Sequence, residues 1–291
     1  MKFVLSPIEA NLKNNKIQTL KILAQFGLPH IETKIITPAA FVKYKQEGRI
    51  SPSFQKILEA TCQSFLKKSD YISIRTATEK GTSFLLPRSG NLNNISDGID
   101  FFKKTWDSFI KKTINPQRLG ISFIVHSFIP SFAAGTIDSR VFNKKNWARI
   151  EATYGIWEGI QSNLHDVYIV NKKNSKIIKK TIPQKDIALF SNAEKWQYQP
   201  VPKNLQTKAV LSLSQIRELL RQIQIVENRF GPVRIEFILK KIKEQKSPKA
   251  VLLWHIIKIP KRKKIFTYKI IPAEEKTTDQ VIYIGSPLVY W

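Results

Sequence analysis

The chain has one cysteine, Cys62, so neither an intrachain disulfide nor a thiolate metal cluster can form within it. Its four histidines, His30, His126, His165 and His255, stand singly, and no two have the spacing of metal ligands. No apolar run approaches the length of a membrane span, and the N-terminus lacks the charged-then-apolar order of a secretory signal. A cytoplasmic protein with no membrane span is expected, and no internal repeat is evident. Acidic residues are scarce: 22 Asp and Glu against 48 Lys and Arg leave a net charge of +26. Such a surface attracts nucleic acid, anionic membrane or an acidic partner. The excess is mostly lysine and is spread out, with concentrations at Lys111-Lys112, Lys172 to Lys180, Lys240 to Lys249 and Lys258 to Lys264. The aromatic residues lie in apolar runs rather than among these lysines, and lysine beside abundant isoleucine and asparagine is also what an AT-rich genome encodes.

What is present suffices for a folded core. With 291 residues, 42% of them apolar, one large or two smaller domains are expected. Helices are expected over residues 53–67 and 98–112, and strands over 71–75, 121–129, 149–153 and 166–170. Asn171 to Ser175 reads as the hairpin turn between Val167-Tyr168-Ile169-Val170 and Ile177-Ile178. The strongest helix signal runs from Leu213 to Phe230, opened by the capping box Ser212-x-x-Gln215 and closed by Gly231-Pro232. Two strands follow, Val233 to Leu239 and Val251 to Ile259, joined by a lysine-rich turn.

The segment from Asn15 to Phe41 carries most of the functional information. Leu20, Leu23 and Ala24 recur at helical spacing, Gly27 suits a cap, Pro29 forbids continuation, and an extended stretch follows. Lys16 stands where that helix begins, so its ammonium and the free amides of the first turn can face one anion together. The alternative is an exposed lysine on a surface helix.

That order of signals resembles the nucleotide-binding domain that opens pyruvate phosphate dikinases and phosphoenolpyruvate synthases. The family has Gly-Gly-Lys-Gly, a leucine, Gly-Leu-Pro and an extended run. Lys16, Leu20, Leu23, Gly27, Leu28, Pro29 and Ile35-Ile36-Thr37 fall in that register, although Asn15 and Ile17 stand at the flanking glycines. Ser73-Ile74-Arg75-Thr76 resembles Val-Arg-Ser-Ser, and Ser83-Phe84 followed by Leu92-Asn93 resembles Ser-Phe-Ala-Gly…Tyr-Leu-Asn. Trp106-Asp107-Ser108-Phe109 resembles Trp-Ala-Ser-Leu, and the run Ile124 to Pro130 is similar to Val-Val-Gln-x-Met-Val, with Gly135 where the family also has glycine. Ile150 to Glu158 resembles Ile-Glu-Ala-Ser-Trp-Gly-Leu-Gly-Glu, and Phe230 to Phe237 resembles Phe-Gly-x-Pro-x-Asp-Ile-Glu-Trp. The matches keep their order from about residue 14 to about residue 240.

The resemblance implies an α+β, ATP-grasp-like fold with ATP in a cleft between two lobes. The expected division is 1–118 for the first lobe, 119–265 for the second and 266–291 for a C-terminal extension. It implies an ATP-binding phosphotransferase of the kinase or dikinase type, with Lys16 and Arg75 on the phosphates, Arg75 and Lys258 in catalysis, and Glu236 on Mg2+. His126 and Phe128 lie on the strand that would border the adenine. Cations from one lobe and carboxylates from the other are what positioning ATP and magnesium requires.

Departures cluster at the expected chemistry. Arg234 stands where the family has an aspartate; an arginine cannot bind magnesium and is expected to pair with Glu236 in place of the ion. Where the last family strand reads Leu-Leu-Gln-x-Arg-Pro, this chain offers His255 or Ile256 and, in shifted register, only Lys258. Leu85-Leu86 replace Ala-Gly in the phosphate loop, where close backbone approach favours glycine. Glu151 and Glu158 are read as structural, Gly155 as a turn residue. The phosphohistidine and barrel domains of the complete enzymes are not in this sequence, so the acceptor would be a separate phosphohistidine carrier or a small molecule. The alternative is a module of the same fold that has lost catalysis and holds a nucleotide, a nucleic acid or an acidic partner.

Overall fold

The computed structural model describes residues 2–78, 86–112, 120–141, 144–191, 196–240 and 250–259. They form two lobes, each built on an antiparallel sheet with helices on it, as an α+β chain should. The first lobe contains β1 (Val4–Leu5), α1 (Asn15–Gln25), β2 (Thr33–Ile36), α2 (Pro38–Glu47), α3 (Pro52–Leu66), β3 (Ile72–Thr78), β4 (Arg88–Leu92), α4 (Ile95–Lys112) and β5 (Ile121–Ser127). Its strands run in the order β1-β2-β5-β3-β4. One face of this sheet packs on α2, α3 and α4 through Ile72, Ile74, Phe123 and Val125 against Phe41, Phe54, Phe102 and Trp106. The other face meets α1, where Ile17 and Leu20 lie against Ile35, Ala77 and Ile124.

The second lobe follows with β6 (Ser131–Asp138), β7 (Trp147–Tyr154), a 3-10 turn (Trp157–Gln161), β8 (Asp166–Asn171), β9 (Ile177–Thr181), β10 (Ile187–Ser191), β11 (Trp196–Pro200), α5 (Lys203–Gln206), α6 (Leu213–Phe230), β12 (Val233–Lys240) and β13 (Ala250–Lys258). Six of its strands form one sheet, β13-β12-β6-β7-β8-β9, and β10 and β11 form a separate hairpin. The helix α6 has the expected capping box, with Ser212 and Gln215 bonding reciprocally. Its stripe Ile216, Leu219, Leu220, Ile223 and Val226 is buried with Val233, Ile235, Phe237 and Leu239 of β12. The turn at Asn171 is held by its side chain, which accepts from Lys173 N at 2.9 Å.

The expected division at 118/119 falls too early. β5 is the central strand of the first sheet, between β2 and β3, so the chain changes sheet between Ser127 and Ser131. The reason is its run of buried residues from Ile121 to Val125, apolar but for Ser122 and covered by helices on both faces, with Pro130 interrupting the ladder before β6. The expected extension, 266–291, lies outside the described residues.

The lobes are also joined through α1. Pro29 O accepts from Leu253 N at 2.9 Å, and Thr19 Oγ1 accepts from Ile256 N at 3.2 Å, so the helix end and the segment after it are bonded to β13. Leu23 and Leu28 accordingly belong to the second lobe's core.

Candidate functional site

Between the sheets lies a cleft of ≈ 180 Å³ whose walls come from both lobes, including Arg75, Arg88 and His126 from the first and Trp157, Glu158 and Glu236 from the second. Strand alternation explains the first wall. Ile72 and Ile74 face the helices, so Ser73 and Arg75 must face the cleft, and His126 pairs with Ser73 on the neighbouring strand. Phe128, one residue beyond β5, also lines the space.

Lys16 stands in the first turn of α1, as expected, but the amides around it are not free. Asn14 caps the helix, its Oδ1 accepting from Lys16 N at 3.0 Å and Ile17 N at 3.3 Å, while its Nδ2 donates to Thr78 O at 2.8 Å. The cap fixes the helix start to the end of β3, and only the lysine side chain remains for an anion. Among the described residues Lys16 Nζ has no hydrogen-bond or ion-pair partner although it is half-buried. Burial lowers its pKa first, Arg75 and Arg88 lower it further, and Glu236 and Glu158 pull the other way. Arg75 is likewise lowered by burial and by Arg88, against the pull of Glu158 and Glu236. Charge couples these five side chains, cations of the first lobe and carboxylates of the second; Arg75, Arg88, Glu158 and Glu236 line the cleft, and Lys16 is not among its lining residues.

His126 is 7% exposed, and burial pushes its pKa down to about 4, so the imidazole is neutral near pH 7. Its Nδ1 lies 2.9 Å from Ser127 O, a carbonyl that can only accept. That contact places the ring proton on Nδ1.

Glu236 points into the cleft from β12, opposite a bulge in β13 that leaves Trp254 without a partner in the register. His255 Nδ1 is 3.4 Å from Glu236 Oε1. Arg234 does not pair with Glu236 as expected. It makes two parallel hydrogen bonds to Asp138, at 2.6 and 2.8 Å, because Asp138 is its direct cross-strand partner on β6, whereas Glu236 lies two residues along its own strand. Glu151 is held by Arg149 and Thr136, with His165 at 3.6 Å, which suits its structural reading. Gly155 has φ +78° and a Cβ there would stand 2.1 Å from Leu189 O, so the turn demands glycine.

Three cleft residues went unread in the sequence: Arg88, Glu158 as a cleft carboxylate, and Trp196. Arg88 Nη1 lies 3.9 Å from Glu158 Oε1, and its guanidinium carbon is 4.0 Å from the centre of the Trp196 ring. The expected phosphate loop at Ser83-Phe84-Leu85 and the side chain of Lys258 lie outside the described residues. Among the described residues no three His, Cys, Asp or Glu side chains come together as a metal site, and no helix is long and apolar enough to cross a membrane.

Comparison with known proteins gives a family match. The family described as "Pyruvate phosphate dikinase, AMP/ATP-binding domain" matches residues 106–253. A probable phosphoenolpyruvate synthase of Methanocaldococcus jannaschii is 31% identical over 149 residues, 50% of this chain and 11% of that protein. The uncharacterized phosphotransferase YvkC of Bacillus subtilis is 28% identical over 267 residues, 78% of this chain and 32% of that protein. The chain thus spans between about a tenth and a third of these relatives. Among solved structures, D-alanyl-alanine synthetase A from Vibrio cholerae aligns at a TM-score of 0.43 with 12% identity, covering 84% of this chain and 55% of that one. A likeness at that score carries no argument.

Proposed function

The chain belongs to the pyruvate phosphate dikinase AMP/ATP-binding domain family, and from that premise we propose that its inter-lobe cleft binds ATP in an ATP-grasp-like manner and passes a phosphoryl group to an acceptor supplied by another molecule. One observation carries the reading: Arg75 and Arg88 line the cleft from the first lobe, and the half-buried Lys16, without a partner among the described residues, is repelled by both. Two guanidiniums in the cleft and an ammonium coupled to them by charge repel one another, and an anion of several charges relieves that repulsion. A nucleotide polyphosphate is such an anion. The relatives named phosphoenolpyruvate synthase and phosphotransferase point to the same chemistry.

Lys16 and Arg75 would hold the phosphates, and the wall made by His126 and Phe128 would border the adenine with neutral groups. Lys258 keeps its family-derived role as a second catalytic cation. Magnesium in such sites takes one or two carboxylates and completes its shell with phosphate oxygens and water. Glu236, oriented by His255, supplies one such carboxylate and would hold the ion, whose chemistry there is to neutralise phosphate charge. The cleft is smaller than the roughly 300–1,000 Å³ of typical small-molecule sites, so binding would part the lobes. A separate phosphohistidine carrier or a small molecule would receive the phosphoryl group.

The Arg234–Asp138 pair favours a second reading, a binding module of this fold without catalysis, because it ties up a carboxylate beside Glu236. In that case the basic surface would hold a nucleic acid or an acidic partner. Calorimetric titration with ATP, with and without magnesium and in about 0.15 M salt to screen non-specific attraction, separates the two. Saturable binding that needs magnesium and Glu236, and that weakens roughly tenfold or more in Lys16→Ala, the loss of about 1.4 kcal/mol or more, is the expected result. A protein that binds no ATP under these conditions overturns the phosphotransferase reading.

A further inference from the structure

The position of Arg88 is not explained by the fold. On β4 it lies directly across from Arg75 on β3 in the sheet register. Like charges in that relation destabilise an antiparallel pair. The side chain of Arg88 is 52% exposed and no packing demands a guanidinium there. Its guanidinium carbon stands over the Trp196 ring, 4.0 Å from the ring centre. The compensating charge comes from the other lobe, where Glu158 Oε1 stands 3.9 Å from Arg88 Nη1. That separation is beyond a hydrogen bond, so the pair attracts by charge without consuming the donors of the arginine.

Resting on the nucleotide reading above, we infer that Arg88 is a third phosphate-binding side chain of the cleft and that Glu158 is the anion it faces until a nucleotide phosphate takes that place. Two guanidiniums rooted about 5 Å apart on neighbouring strands lie within reach of one polyanion, and the guanidinium of Arg88 matches phosphate in bidentate geometry. Trp196 is a positioning residue, since its ring holds the Arg88 head group by a cation–π contact. Glu158 competes with the ligand for Arg88. Removing its charge therefore helps the nucleotide, the reverse of what removing a metal-holding carboxylate does.

The test titrates the full chain and its variants with ATP and with adenosine, which lacks phosphates. Arg88→Ala is expected to weaken ATP about tenfold or more and to leave adenosine within about twofold, with Arg88→Lys between the two. Glu158→Gln is expected to tighten ATP several-fold, and to lose that effect in the Arg88→Ala background, because the two act on each other. Unchanged thermal midpoints confirm that the variants fold. ATP binding by Arg88→Ala within about twofold of the parent, while Lys16→Ala loses ATP, overturns the inference and leaves the nucleotide reading standing. Weakening of ATP by Glu158→Gln overturns it equally, since the carboxylate then serves the ligand. A parent that binds no ATP overturns both.

Discussion

His126 is a buried base that folds neutral, and this has a sign. Its folded pKa of about 4 lies below the ordinary 6.5, so the unfolded chain binds the extra proton as pH falls between those values. The stability it contributes is complete above pH 6.5 and is lost as pH falls toward 4, on the order of 3 kcal/mol in all. Urea denaturation from pH 7 to 4 should show that loss, and His126→Gln should flatten it by the same amount. A second buried group makes a different prediction. Asp166 and Lys185 have side chains 0% and 1% exposed and bond at 2.7 Å, with Tyr168 Oη and Val210 N also donating to the carboxylate. Asp166→Asn leaves the ammonium uncompensated and should cost about 3–5 kcal/mol by chemical denaturation. That Arg75, His126 and Glu236 would stand on the cleft walls was legible in the sequence because each sits inside a local motif, whereas Lys16, read the same way, is not among the lining residues. Arg88, Glu158 and Trp196 were not, since strand register and lobe packing bring them together across long stretches of chain.

At the scale of elements, legibility followed the strength of local signals. The amphipathic stripe and capping box of α6 placed it from Leu213 to Phe230, as expected. The strand β6, between β12 and β7 in its sheet, escaped notice because Phe132-Ala133-Ala134-Gly135-Thr136 shows no alternation, its small residues being set by contact with neighbours. Gly135 makes the point: a Cβ there would stand 2.0 Å from Glu151 O and 2.5 Å from the Phe237 ring. Gly135→Ala should therefore destabilise the second lobe by about 1–3 kcal/mol or more, and a lowered thermal midpoint would register it. The basic excess is also partly an element-level matter. Lys179 and Lys180 are exposed on β9, the edge of the six-stranded sheet, where lysines discourage pairing with another chain. That part of the charge has a use without any nucleic acid.

For the whole molecule, the two-lobe arrangement followed from the resemblance, while its seam did not: Pro130 marks a break in the ladder, but only pairing shows that β5 stays with the first sheet. The helix that carries Lys16 belongs to both lobes. Ile17 and Leu20 lie against the first sheet, while Leu23 and the segment at Pro29 are held by the second. Thr19 and Ile256, which bond to each other, are 237 positions apart along the chain. During synthesis from the N-terminus, the lysine is therefore made well before β13, yet its seat is completed only once β13 has left the ribosome. Until then a nascent chain has most of a first lobe but no finished cleft, and it cannot capture a nucleotide before the second lobe is made.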